Sequence, residues 1–205
     1  MPDRLILAVE TTLARCSVAL VRGGQVLAQA SEPMQRGHAE RLAPMAQEIM
    51  ASAGGRFDGL GRIAVTTGPG SFTGVRVGLA FARGLALALG VPIVGLSSLE
   101  VLALAEGKGG WRAGVIPSAE GVFFALFEDG EARIAPVRLS PEEARGHLTG
   151  RSVRLYGAAA TEFVALGGAC SVLDAPCVLA LARLAAGKDP GENPANPLYL
   201  RAALA

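Results

Sequence analysis

Gly68-Pro-Gly-Ser-Phe-Thr-Gly74 lies between an apolar run and a long helical pattern, and its residue types come nearest to chemistry in this chain. Glycine-rich turns that open helices often cradle phosphates, because backbone N–H groups and the positive end of the helix dipole converge there. The flanking residues argue against that use. A Walker A loop needs lysine after its last glycine, where Val75 stands. The dinucleotide fingerprint needs a small third position, where Thr73 stands. Pro69 stiffens the turn and removes a donor, and Ser71 or Thr73 can cap the helix. Gly68, Pro69, Gly70, Ser71, Phe72 and Thr73 therefore read first as a structural strand-to-helix turn, with anion binding as the lesser alternative.

Other constellations are thinner. Glu10-Thr11-Thr12, at the end of the first apolar run, offers an acid and two hydroxyls. Ordinary turn chemistry and a vestigial, weak nucleotide contact fit it equally well. A two-lobed kinase or ATPase needs a matching hairpin with an acid in its second half. The corresponding turn here, Pro117-Ser118-Ala119-Glu120, places no aspartate at the strand end. A two-metal nuclease needs carboxylates at several strand ends, but the fourth strand ends in Thr66-Thr67. In Arg36-Gly-His38-Ala-Glu40 a helical metal pair would require a second histidine at position 42, which is leucine. No metal is expected, and His38 reads as a helix-cap or surface residue. Cys16, Cys170 and Cys177 form no CxxC pair and read as buried reduced thiols. No Ser/His/Asp or Cys/His grouping can be assembled.

The elements that must position these residues follow from periodicity. Continuous or alternating apolar runs predict strands at 5–9, 16–21, 26–30, 63–66 and 91–96. Leu42, Met45, Ala46, Ile49 and Met50 recur at helical spacing, and Gly54-Gly55 ends that helix. A helix follows the glycine loop, and Ser97-Ser-Leu-Glu100 fits a capping box for another. The second half repeats the order: strands at 113–117, 121–128 and 131–139, a capped helix from Ser140, a strand at 153–156, a short helix at 161–166, a strand at 171–173 and a last helix at 176–186. The order βββαβαβα used twice is similar to a duplicated ribonuclease-H-like fold, the actin-like (ASKHA) α/β architecture. Residues 1–106 are expected to form an N-terminal lobe carrying a partner surface and 110–205 a smaller C-terminal lobe, with about 195–205 packing back on the first.

Charge and hydropathy exclude some function classes. The formal net charge is +1, with 19 basic and 18 acidic residues spread over both halves, so no basic excess supports autonomous nucleic-acid binding. The longest apolar run, Leu79 to Gly90, is interrupted by Arg83 and falls short of the ~18 residues that span a bilayer. The chain opens on a strand-like segment without a charged-then-apolar leader, so a cytoplasmic location away from membranes is expected.

The helix after the loop carries a ridge at four-residue spacing, Gly74, Gly78, Ala82, Ala86 and Gly90, on which every residue is small. A glycine inside a helix costs about 1 kcal/mol relative to alanine, so close approach of another backbone should compensate. Two readings fit: the ridge packs on the chain's own sheet or first helix, or it receives a partner. Leu42, Met45 and Ile49 on the first helix, with Gly74, Arg76, Gly78 and Ala82 on the second, form the expected partner surface.

Leu5-Ile-Leu-Ala-Val-Glu-Thr11, Cys16-Ser-Val-Ala-Leu20, His38-Ala-Glu-Arg-Leu-Ala-Pro-Met45, Gly68-Pro-Gly-Ser-Phe-Thr-Gly-Val-Arg76 and Pro197-Leu-Tyr-Leu-Arg201 together resemble the TsaB (YeaZ) family. The resemblance is closest over residues 4–106. It implies an accessory subunit for tRNA threonylcarbamoyladenosine synthesis, without catalytic residues. Its partners would be a TsaD-type catalytic subunit and a TsaE-type ATPase, with a homodimer when alone and tRNA met through the complex. The modified base would be the adenosine beside the anticodon in tRNAs that read codons beginning with adenine. It implies no cofactor beyond weak ATP or ADP association at the partner interface. Glu10 and Pro117-Ser118-Ala119 depart from the family pattern, which has aspartate at the first site and an Asp-Ala-Arg-type stretch at the second. The competing expectation is an autonomous actin-fold ATPase or small-molecule kinase.

Overall fold

The computed structural model describes residues 4–166 and 170–200. Its first half is β1 (Leu5–Glu10), β2 (Arg15–Arg22), β3 (Gln25–Pro33), α1 (His38–Ser52), β4 (Arg62–Thr66), α2 (Phe72–Leu89), β5 (Ile93–Leu96) and α3 (Ser98–Ala103). The second half is β6 (Trp111–Ser118), β7 (Gly121–Glu128), β8 (Glu131–Leu139), α4 (Pro141–Leu148), β9 (Val153–Tyr156), a 3₁₀ turn (Ala160–Leu166), β10 (Cys170–Ser171) and α5 (Val178–Ala186). Two five-stranded sheets result, in the orders β3-β2-β1-β4-β5 and β10-β9-β6-β7-β8. In each, three strands meander antiparallel and later strands join in parallel, so the two sheets are copies of one topology. This is the duplicated, actin-like α/β fold.

Local chemistry sets the turns. Gly23 and Gly24 take φ of 54° and 85° between β2 and β3, and Asp129-Gly130 take 52° and 87° between β7 and β8. Positive φ at both turn positions matches the twist of a tight hairpin. Ser140 and Glu143 form a complete capping box at the start of α4. Gly90, at φ 64°, closes α2. α1 starts four residues earlier than its apolar period suggests, at His38, which leaves Pro44 inside the helix on its exposed side.

β1 is buried at every position because the first sheet is covered on both faces. Leu5, Leu7 and Val9 join Leu42, Met45, Ile49, Leu79 and Ala82 under α1 and α2. Ile6 and Ala8 join Val178, Leu181 and Ala185 of α5 on the other face. The last helix therefore packs on the first sheet, whereas chain order places it in the second lobe. In return, Leu99, Leu102 and Ala103 of α3 pack with Ile116, Ala125, Phe127 and Tyr156 on the second sheet. The two terminal helices exchange lobes and touch each other between the sheets. Arg62, 5 % exposed, extends from β4 to donate hydrogen bonds to the carbonyls of Ala185, Ala186 and Lys188, capping α5. Lys188 in turn pairs with Glu100 of α3 at 2.8 Å.

The stretch 106–110 between the lobes is tied down. Arg112 donates to Gly109 O and to the Tyr156 hydroxyl, which donates to Glu106. The chain after α5 crosses back over the first lobe, where Gly95 N–H donates to Asn193 O and Leu198 N–H donates to Thr67 O. Arg201 and the rest of 201–205 lie outside the described residues. Taken whole, α2 is long and apolar enough to cross a membrane by length and composition, despite Arg76 and Arg83. One of its faces is packed into the core of the first lobe.

Candidate functional site

The glycine loop, the β1–β2 turn and the start of α3 meet at the C-terminal end of β1. Ser71 caps α2, its Oγ accepting from Gly74 N–H at 3.3 Å. Ser71 N–H donates to Thr12 O at 2.6 Å, and Thr11 Oγ1 donates to Gly74 O at 2.7 Å. A Cβ on Gly70 would stand 2.2 Å from Thr12 O, one on Gly74 2.0 Å from Thr11 O, and one on Gly78 2.4 Å from Thr11 Oγ1. The glycines at 70, 74 and 78 are thus the seat of the Thr11-Thr12 turn. Of the two readings of the small ridge, packing within the chain is the one realised at these positions.

This corrects the expected partner surface. Leu42, Met45, Ile49, Gly74, Gly78 and Ala82 are all buried in the chain's own first lobe. Of that set only Arg76 faces outward. Its guanidinium lies 3.6 Å over the Phe72 ring, and its Nε donates to the Tyr199 hydroxyl at 3.1 Å. Arg83 Nη2 donates to Asn196 Oδ1 at 2.6 Å, so both arginines of α2 hold the C-terminal stretch. Gly68 and Pro69, joined by a cis peptide bond, are buried in the loop, and Ser98 N–H donates to Gly68 O at 2.8 Å.

α2 has a second row of small residues that periodicity alone did not single out. Thr73, Ala80, Gly84 and Ala88 are exposed, alongside Leu87 at 86 %. Ala39, Ala43, Pro44 and Gln47 extend the exposed surface on α1. A Cβ on Gly84 would meet nothing within 4 Å, so no contact among the described residues accounts for a glycine at that helical position. The signal was present in the sequence as Gly84, the helix's other internal glycine.

Glu10 is wholly buried. Its Oε1 accepts from Thr12 N and from Thr12 Oγ1, both at 2.6 Å. Thr12 Oγ1 then lies 2.9 Å from Ser98 Oγ, which must donate because the threonine proton is already committed. Oε2 has no hydrogen-bond partner among the described residues. Burial pushes the carboxyl up to about 7, against the smaller lowering effects of Thr12, Thr66 and the Leu13 backbone. Thr66 acts on it from nearby, but its hydroxyl is not in hydrogen-bond geometry with any group. Thr11 and Thr12 are also buried, at 1 % and 0 % exposure. Glu10, Thr11 and Thr12 therefore spend their polar groups on one another and on the loop and α3. The vestigial nucleotide contact finds no exposed group here, and the turn-chemistry reading is the one realised. In the second lobe Pro117 ends in the open, and Glu120 is exposed and paired with Arg138 at 2.9 Å.

Histidine and cysteine positions also differ from expectation. His38 is buried at 6 % exposure as the first residue of α1, behind Gly37, instead of at the surface. An open groove of about 350 Å³ lies where α1 and α2 begin, lined in part by Arg36, His38, Glu40, Ser71 and Thr73. His38 Nε2 has no partner and is shut off from solvent, so it does not open into that groove. Among the described residues no group of three or more His, Cys, Asp or Glu side chains could hold a metal ion. Cys16 is buried, and its thiol is pushed up to about 11, whereas Cys170 is exposed and Cys177 half-buried.

Comparison with known proteins places this geometry among relatives. A family model described as TsaD: tRNA N6-adenosine threonylcarbamoyltransferase matches residues 25–121. The tRNA threonylcarbamoyladenosine biosynthesis protein TsaB of Escherichia coli (strain K12) is 42 % identical over 107 residues, 52 % of this chain and 44 % of that protein. The protein of the same name from Bacillus subtilis (strain 168) is 37 % identical over 98 residues, 48 % of this chain and 43 % of that one. The chain thus spans less than half the length of these curated relatives. The solved structure of YeaZ from Pseudomonas aeruginosa superposes with a TM-score of 0.80 at 29 % identity, covering 96 % of this chain and all of that one.

Proposed function

Since the chain belongs to the TsaB (YeaZ) family, we propose that it serves tRNA threonylcarbamoyladenosine biosynthesis as a subunit without an active site of its own, supporting a TsaD-type transferase. The observation that carries this reading is the closed state of the first hairpin. In a working actin-type site this turn must present donors to a phosphate. Here Glu10, Thr11 and Thr12 are buried and bonded to each other, to Gly74 and to Ser98, and three glycines fill the space above them.

The partner surface is then the outward side of α1 and α2: Ala39, Ala43 and Gln47 on one helix, Thr73, Ala80 and Gly84 on the other. Small exposed side chains allow close helix approach. The match to a TsaD model over 25–121 supports a related partner, since two chains of common fold can pair their equivalent helices about a pseudo-twofold axis. The same face would make a homodimer when the chain is alone. A TsaE-type ATPase completes the set, tRNA is met through the complex, and nucleotide association is confined to the partner interface, with no cofactor in the chain itself. The modified base is the adenosine beside the anticodon in tRNAs that read codons beginning with adenine.

The test is reconstitution of tRNA modification from purified TsaD-type and TsaE-type proteins, with and without this chain. Modification is expected only when the chain is present; equal yields without it overturn the proposal. Calorimetry of the isolated chain with ATP and magnesium is expected to show no turnover. ATP hydrolysis abolished by Glu10→Ala would restore the autonomous ATPase or kinase.

A further inference from the structure

The buried carboxyl of Glu10 sits at the end of β1, beneath the β1–β2 turn, and the proposed function gives it no chemistry. Thr12, bonded to it, belongs to the β1–β2 turn of the first lobe, while Ser98, bonded to Thr12, is the first residue of α3, which packs on the second sheet. The chain Glu10–Thr12–Ser98 is therefore a polar link between the β1–β2 turn and the start of α3, which the Ser98 N–H also ties to Gly68 O of the glycine loop. One end of the link is incomplete: among the described residues Oε2 has no partner, and neither has the nearby Thr66 hydroxyl.

Among the described residues no opposite charge balances an ionised Glu10. The influences on it are burial and the neighbouring donors of Thr12, Thr66 and Leu13, with no cation among them. The surrounding elements explain why. β2 presents Ser17 opposite Glu10 and the Cys16 thiol beside it, and the Arg15 side chain is committed to Ser31 and Asp174. On β4, Arg62 is committed to the end of α5. On α5 the only charge is Arg183, which donates to the carbonyls of Leu179 and Ala105. α3 offers Glu100, paired with Lys188, and the arginines of α2 hold the C-terminal stretch on the outside.

We propose that Glu10 is a proton-operated latch on the loops above β1, holding the β1–β2 turn to the start of α3 while neutral and loosening it when ionised. In the neutral form the proton sits on Oε2, the oxygen that accepts no hydrogen bond among the described residues. Oε1 keeps both bonds from Thr12. On ionisation that proton passes to solvent, and an uncompensated charge remains in an apolar setting. The relief is to let water in, which parts Thr12 from Ser98. The glycine loop moves with the turn, because Ser71 N–H is bonded to Thr12 O.

Amide hydrogen exchange on the full chain between pH 5 and 8 tests this at Thr12, Ser71 and Ser98. After correction for intrinsic exchange, local opening is expected to rise about fortyfold from pH 5 to 7 and about twofold more by pH 8. In Glu10→Gln, which keeps the Oε1 acceptor and cannot ionise, opening should be flat. Parallel profiles in wild type and variant overturn the proposal. Should the variant not fold, a carbon-13 titration of Glu10 in the wild-type chain decides instead. A midpoint well above the other glutamates sustains the latch, and one in the ordinary carboxylate range removes it.

Discussion

At the scale of single residues, three glycines of one helix carry opposite consequences. Gly74 and Gly78 have no room for a methyl group, because Thr11 lies 2.0 and 2.4 Å from the positions a Cβ would take. Gly74→Ala should therefore destabilise the chain by at least about 2 kcal/mol in urea unfolding, overpacking outweighing the better helix propensity of alanine. Gly84 has open space around it, so Gly84→Ala should stabilise the same chain by about 0.5–1 kcal/mol. Glu10 adds a pH dependence whose sign is fixed. Its carboxyl is raised from 4.5 to about 7 in the folded chain, so the folded state binds the proton more tightly. The stabilisation is full below about 4.5, falls as pH rises through 7 and is constant above, a total of about 3 kcal/mol. Glu32, Glu48 and Glu143 are shifted downward by Arg41 and by the Ser140 cap, so their contribution is instead lost on acidification. Urea midpoints should thus peak on the acid side of neutrality in wild type, and the decline toward pH 7.5 should vanish in Glu10→Gln.

At the scale of elements, most of what could be read from periodicity concerns strands and hairpins. β7, β8 and β9 fall at the expected bounds because the hairpin glycines and the alternation of apolar side chains act locally. Two features escaped, both for the same reason: they depend on which neighbour an apolar face finds. α2 has small residues on two sides, so spacing gave no direction to the helix. Contact with Thr11 and Thr12 decided that 74, 78 and 82 face inward and 73, 80 and 84 outward. α3 and α5 each carry an apolar face that either sheet could have accepted, and nothing local assigns them to the opposite lobe. The reading of Glu10-Thr11-Thr12 as a turn was accessible because an acid followed by two hydroxyls can bond to itself, while the role of Ser98 was not, since it arrives 86 positions later in the chain. The exchange predicts that residues 1–106 alone will not fold stably. Ile6, Ala8, Ala64 and Val94 would lose their cover by α5. That fragment should aggregate in gel filtration, and a peptide of residues 174–200 added during refolding should recover a monodisperse species. Arg62→Ala should weaken the same attachment by about 2 kcal/mol or more in the full chain, because the α5 carbonyls lose a charged donor in a buried place.

At the scale of the whole molecule, the proposed interface and the core no longer compete for the same residues. Leu87 is 86 % exposed and Gly84 borders empty space. Leu87→Asp and Gly84→Trp should therefore leave the circular dichroism spectrum and melting temperature nearly unchanged while weakening binding of a TsaD-type partner at least tenfold, about 1.4 kcal/mol. Gly78→Leu should unfold the chain instead of selectively blocking the complex, since Thr11 occupies the space its side chain would need.

The exchanged helices have one more consequence, for cooperativity. α5 follows β10 of the second sheet yet covers the first, and α3 follows β5 of the first sheet yet packs on the second, so neither lobe can melt and leave its companion intact. Calorimetry should record a single heat-absorption peak with equal calorimetric and van't Hoff enthalpies. A two-lobed chain in which each lobe kept its own helices would separate into two peaks. Any ligand that stiffens one lobe is then felt as added stability in the other, without a contact between them.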